Sequence, residues 1–126
     1  MPPWDLQERT RQFALAVLAF CRSLPLTREA RDAGDQLRRA ANGVRNIYRA
    51  ARRGRSRAEF RAKLGNVFEE ADECVDWLTY LNDAGIKSDP ALLGEAQELA
   101  AIFARAVRTA RRGRQTQRGP TRLPRR

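Results

Sequence analysis

Apolar residues recur at alternating spacings of four and three along most of the chain, the stripe of an α-helix. From Phe60 the stripe runs Leu64, Val67, Ala71, Cys74, Leu78 and Leu81 without a break. A second holds Leu92, Ala96, Leu99, Phe103, Ala106 and Ala110. A third holds Leu6, Phe13, Val17, Phe20 and Leu24, with Thr10 filling one slot. The weakest is Leu37, Ala41, Val44, Tyr48 and Ala51. β-Branched residues are few and never alternate with polar ones, so no strand is expected.

Start and stop signals frame the same four segments. Asp5 with Glu8, and Ser56 with Glu59, have capping-box spacing. Thr27 caps a second helix after the Leu24-Pro25-Leu26 break, and Asp89-Pro90 gives a cap followed by a first-turn proline. Stops fall at Pro25, Gly54, Gly85 and Gly113. The predicted helices are 5–23, 28–53, 57–84 and 90–111. A spacing near 3.5 suits helices crossing at about 20°. Short loops make neighbours antiparallel, so the expectation is an all-α, up-down-up-down four-helix bundle. It occupies residues 5–111, with a lead at 1–4 and a basic tail at 112–126 that is disordered when free.

Leu15, Leu18, Phe68, Val75, Trp77 and Ile102 lie off the stripes. One stripe per helix fills the centre of such a bundle, so this surplus predicts a second contact surface and a homo-oligomer. Scattered exposure on a monomer is the alternative.

At 126 residues the chain fits one domain. No histidine is present, which removes histidine metal sites, Ser-His-Asp triads and imidazole switches. Two cysteines without histidine cannot build a zinc site within one chain. The longest apolar run, Phe13 to Cys21, is far below the roughly 20 residues of a membrane span. The opening Met-Pro-Pro-Trp-Asp lacks the basic start of a signal peptide. The expectation is a cytoplasmic protein that is not an enzyme, needs no cofactor or metal and does not use a membrane.

The net charge of +10 is unevenly placed. Residues 111–126 hold seven Arg and no acid, leaving +3 for residues 1–110. From Arg38 to Lys63 there are ten bases and one acid, Glu59. From Glu69 to Glu98 there are nine acids and one base, Lys87. Blocks of one sign mark an oriented surface, either neutralised by the opposite block or left open to an anion.

On the second helix, Arg38, Arg45, Arg49 and Arg52 fall within about 60° at 100° per residue. Arg53, Arg55, Arg57 and Arg61 continue past the turn. Such a stripe follows a phosphate backbone without reading bases, since no aromatic pattern accompanies it; a solvated face paired to acids is the alternative. The tail adds Arg111, Arg112, Arg114 and Arg118, then Arg122, Arg125 and Arg126, a sequence-independent attractor for nucleic acid or a bare solubility segment. Cys21 and Cys74 read as reduced core residues. Glu69, Glu73 and Asp76 share a helix face, but di-metal bundles use Glu-x-x-His, so these acids are expected to pair with Arg of helix 2, helix 4 or another subunit. Gly54-Arg55-Ser56 is a turn, not a phosphate loop.

Helices 2 and 3 carry a resemblance. Leu37-Arg38-Arg39-Ala40-Ala41, Val44, Tyr48-Arg49 and Ala51, then Arg55-Ser56-Arg57-Ala58-Glu59-Phe60, Lys63, Glu70-Ala71-Asp72-Glu73, Trp77-Leu78 and Leu81 follow one family pattern. Ala84-Gly85-Ile86 and the segment from Leu93 to Phe103 extend it. Over about residues 5–111 the chain resembles the four-helix-bundle family of proteins encoded in intervening sequences of bacterial ribosomal RNA genes. Arg45, Ile47 and Ala50 depart from the Gly, Asn and Glu often found there, adding charge and removing a carboxylate. The resemblance implies a homo-oligomer, typically a five-subunit barrel. A related branch, the accessory variability determinant of diversity-generating retroelements, binds nucleic acid and works with a reverse transcriptase.

Together these observations predict a non-catalytic oligomeric bundle that binds nucleic acid, structured RNA before DNA, through its Arg face and tail. The rival reading is a protein-interaction scaffold or accessory subunit of a reverse transcriptase.

Overall fold

The computed structural model describes the backbone of residues 3–122 and the side chains of residues 5–113. The described residues form four α-helices: α1 (Pro3–Arg22), α2 (Arg28–Arg52), α3 (Arg57–Asp83) and α4 (Pro90–Arg122). Each packs on its neighbour in sequence, and α1 also meets α4 more lightly, which closes a four-helix bundle. Neighbours are antiparallel. Cys21 at the end of α1 lies against Gly34 near the start of α2, and the α2–α3 and α3–α4 connections are equally short. Among the described residues no helix is long and apolar enough to cross a membrane.

The helix starts follow the capping chemistry. Thr27 is extended (φ −90°, ψ 158°) and its side chain accepts from Ala30 N at 3.2 Å. The Ser56 hydroxyl accepts from Glu59 N at 3.1 Å, and Glu59 Oε1 accepts from Arg55 N at 2.7 Å. Asp89 Oδ1 accepts from Leu92 N at 3.0 Å. After α3, Ala84 N donates to the Tyr80 carbonyl and Ile86 N to the Leu81 carbonyl. Gly85 makes that reversal at φ +73°, where a Cβ would be strained.

Three sequence expectations change. α1 begins at Pro3, so Asp5 sits in its first turn and does not cap it; a proline costs nothing where the amide has no partner anyway, and an acid there complements the helix dipole. α4 continues through Gly113 to Arg122, past the end expected at residue 111. A glycine costs about 1 kcal/mol in a helix without forbidding it. Phe60 is 36% exposed although its stripe points inward. It lies in the first turn of α3, beside the last turn of α2, where the packed length of the bundle runs out.

The other stripes build the core. Val17, Leu37, Val44, Val67, Leu81, Leu99 and Phe103 are fully buried. Tyr48 of α2 reaches across to Phe103 of α4, ring centroids 5.4 Å apart. Thr10 is buried and donates to the Gln7 carbonyl at 3.0 Å, which satisfies its hydroxyl. Ala106 and Ala110 are half-buried at the margin.

The α1–α4 seam is held by polar contacts. Arg9 Nε and Nη2 donate to the two carboxylate oxygens of Glu95, each at 2.7 Å, and Nη2 also to Glu98 at 2.7 Å. The bond to Glu95 is the largest influence holding that guanidinium charged, with Glu98 adding to it. At the top of the seam Lys87 Nζ lies 4.6 Å from the Phe20 ring centroid and donates to the Ser23 hydroxyl.

Candidate nucleic-acid interface

An antiparallel hairpin brings together residues equally far from its turn. The basic run straddles the α2–α3 turn, so its two halves meet at one end of the bundle. Arg49, Arg52, Arg53, Arg55 and Arg57 are all exposed there. α4 delivers further arginines to the same end, because it lies antiparallel to α3. Arg111 and Ala110 line a groove with Ala58, Arg61 and Ala62. Arg105, Arg108 and Arg112 are exposed on the outer side of α4. The sequence had not singled out Arg105 and Arg108; their signal was a spacing of three on the polar side of the α4 stripe.

The predicted stripe does not form one flat track. Arg38 and Arg45 line the α1–α2 groove, about 260 Å3, with Arg11, Leu15, Leu18 and Asn42. Arg61 and Arg111 line the α3–α4 groove, about 520 Å3. These grooves lie on opposite sides of the bundle, and the turn arginines join them round its end. Arg114 and Arg118 lie outside the described side chains, on the stretch of α4 that continues to Arg122, and Arg125 and Arg126 lie outside the described residues.

Charge neutralisation within the bundle is slight. Among the described residues the ion pairs are Arg9 with Glu95 and Glu98, Arg11 with Glu8 at 3.3 Å, and Arg38 with Asp35 at 3.8 Å. Arg45, Arg49, Arg52, Arg53, Arg55, Arg57, Arg61, Arg111 and Arg112 are in none of them. The lone acid of the basic block, Glu59, is engaged by the Arg55 backbone amide.

For the acids of α3, two of the three expected sources of a partner are not used. Glu69, Glu70, Asp72, Glu73 and Asp76 form no ion pair with α2 or α4 among the described residues. At that level α2 presents Arg39, which lines a groove with Trp77 and is in no ion pair among the described residues. Glu70 lies over Gly43, where a Cβ would come within 3.0 Å of its side chain. Burial first, then Glu73 and Glu69, push the Glu70 carboxyl above its usual range.

Cys74 is buried, and Cys21 is half-buried with its thiol 3.4 Å from the Gly34 carbonyl. Burial is the largest cause raising both thiol pKa values, which keeps them protonated and inert. Among the described residues no group of three or more His, Cys, Asp or Glu converges as a metal-binding set.

Comparison with known proteins agrees with the resemblance. Neither a search of curated proteins nor one of solved structures returned a match. A family model described as "23S rRNA-intervening sequence protein" matches residues 4–108, which takes in all four helices as far as the last core residues of α4. The chain belongs to the family of 23S rRNA-intervening sequence proteins.

Proposed function

We propose that this chain is a non-catalytic, homo-oligomeric RNA-binding bundle, with phosphates of structured RNA held by its arginine-rich end. One observation carries the reading: arginines of α2, α3 and α4 converge at one end without carboxylate partners among the described residues. A guanidinium fork suits phosphate oxygens. Such an end grips a backbone without reading sequence. The tail arginines add affinity, and a multi-subunit assembly multiplies weak contacts through effective concentration. Leu15 and Tyr80, 46% and 53% exposed, supply apolar surface for subunit contacts; a five-subunit barrel is the assembly the family resemblance suggests. The family's name links it to ribosomal RNA genes, which favours RNA over DNA. Equilibrium binding of a structured RNA by nuclease-treated protein tests the reading. Tight, salt-sensitive binding is expected; indifference to RNA and DNA at low salt overturns it.

The α1–α2 groove favours a second reading. Leu15 and Leu18 lie there between Arg11, Arg38 and Arg45, a mixture that suits an acidic protein better than bare phosphate. A reverse transcriptase that itself holds the nucleic acid is such a partner. A protein partner that stays bound at stoichiometry after nuclease treatment supports this reading, and loss of the partner with the RNA overturns it.

A further inference from the structure

The α2–α3 face remote from the turn carries the opposite charge. Its groove, about 590 Å3, is lined by Glu29, Asp32, Asp35, Arg39, Trp77 and Tyr80. Trp77 and Tyr80 meet edge to face, centroids 5.6 Å apart and planes at 87°. Trp77 Nε1 donates to Glu73 at 3.2 Å, which fixes the indole in place. Asp35 reaches Arg38, but Glu29 and Asp32 are in no ion pair among the described residues. Arg39 is the cation that lines the groove, and the carboxylates outnumber it.

Tyr80 is exposed and Trp77 half-buried; an accessible ring face attracts a cation through its quadrupole, and carboxylates beside it accept the N–H fork. The groove therefore suits a guanidinium-rich segment that brings no acid of its own. The chain ends in one: residues 111–126 contain seven Arg and no Asp or Glu. That segment is not positioned to enter its own groove. Arg111 lies beside Arg61, and the α3 helix from Arg61 to Tyr80 spans about 28 Å at 1.5 Å per residue. α4 then continues as helix to Arg122, away from the groove.

We propose that this acidic aromatic groove receives the arginine-rich C-terminal segment of a second copy of the chain, joining subunits head to tail. A heterologous contact of this kind closes into a ring when its rotation permits. The inference rests on the oligomer of the proposed function and supplies its contact. RNA competes for the same arginines, so nuclease-treated protein is the form to test.

The test compares sedimentation of the full chain with two variants. One carries Glu29→Lys and Asp32→Lys in the groove; the other carries Gln at Arg111, Arg112, Arg114, Arg118 and Arg122. Wild type is expected to associate at about 0.1 M salt and to dissociate at about 1 M, where the screening length falls from about 10 Å to about 3 Å. Each variant is expected to associate about tenfold more weakly or worse. A mixture of the two is expected to regain a paired species, since one copy keeps its groove and the other its arginines. Tyr80→Ser, an uncharged change on an exposed ring, is expected to weaken association without altering helical content. Wild-type association that all these variants leave unchanged overturns the inference while the oligomer stands. A wild type that is monomeric throughout overturns both. RNA binding, measured separately, is expected to persist in the groove variant, whose arginines are intact, but without the avidity of the assembly, and to fall further in the tail variant, which separates this contact from the RNA-binding reading.

Discussion

Arg61, one turn into α3, and Arg111, in the second half of α4, line one groove, and neither is in an ion pair among the described residues. Their meeting follows from antiparallel packing alone. It turns three separate basic segments into one charged end, while the acids of α2 and α3 gather elsewhere. The bundle is therefore electrostatically polar along its length, a field that steers polyanions to one end.

Glu70 predicts a pH dependence. Its carboxyl pKa is raised in the folded state, chiefly by burial. The folded chain thus favours the protonated form, and wild type loses stability as pH rises through and above the carboxylate range. Glu70→Gln is expected to raise Tm at pH 7 and to give no gain well below that range. Thermal melts at both pH values check this; an equal gain at both would mean that titration is not the cause.

Gly34 predicts a packing limit. A Cβ built there would lie 2.7 Å from Leu24 Cδ1, a buried side chain. Gly34→Ala is expected to destabilise by roughly 1–3 kcal/mol, despite the better helix propensity of alanine. In a Leu24→Ala background the same change is expected to stabilise. Denaturant midpoints of the four proteins give the coupling, and additivity of the two changes would contradict the contact.

The Arg9 clasp predicts a modest stability term. Its side chain is 24% exposed and its two carboxylate partners 31% and 70%. Solvent screens such a site, so Arg9→Gln is expected to cost about 1 kcal/mol, or about 4 °C in Tm for a domain of this size. Because α1 meets α4 only lightly, amide exchange is expected to quicken along α1 before α3. Uniform quickening would show that the seam is not the weak one.

The helical stripes were legible because burial on a helix repeats every three to four residues, and residues such as Leu37, Val67 and Leu99 obeyed that rule. The caps at Thr27 and Ser56 were legible because their chemistry is local. Helix ends were less so. Pro3 starts α1 ahead of Asp5, and Gly113 does not end α4, since both residue types only bias a boundary. Phe60 misled because a stripe gives direction but not whether a neighbour covers it. The arginines were visible one by one. Their division between two grooves, and the arrival of Arg105 and Arg108 at the same end, depend on how the hairpins register. Of the partners expected for the α3 acids, the α2 and α4 arginines make no ion pair with them among the described residues, since segment charge does not say where two side chains meet; an arginine of another subunit is the expectation that stands.

The salt dependence of binding to a structured RNA reads out whether the arginine-rich end holds phosphates. The comparison is between the full chain and its Arg49→Gln, Arg52→Gln, Arg53→Gln triple variant, with Arg28→Gln, Arg31→Gln at the other end of α2 as the control. Each phosphate neutralised contributes about 0.7–0.9 to the slope of log affinity against log salt. The triple variant is expected to lose about two units of slope and to weaken equally on unrelated RNA sequences, while the control keeps the wild-type slope. A triple variant that binds with the wild-type slope and affinity would show that the arginines at the α2–α3 turn do not hold RNA.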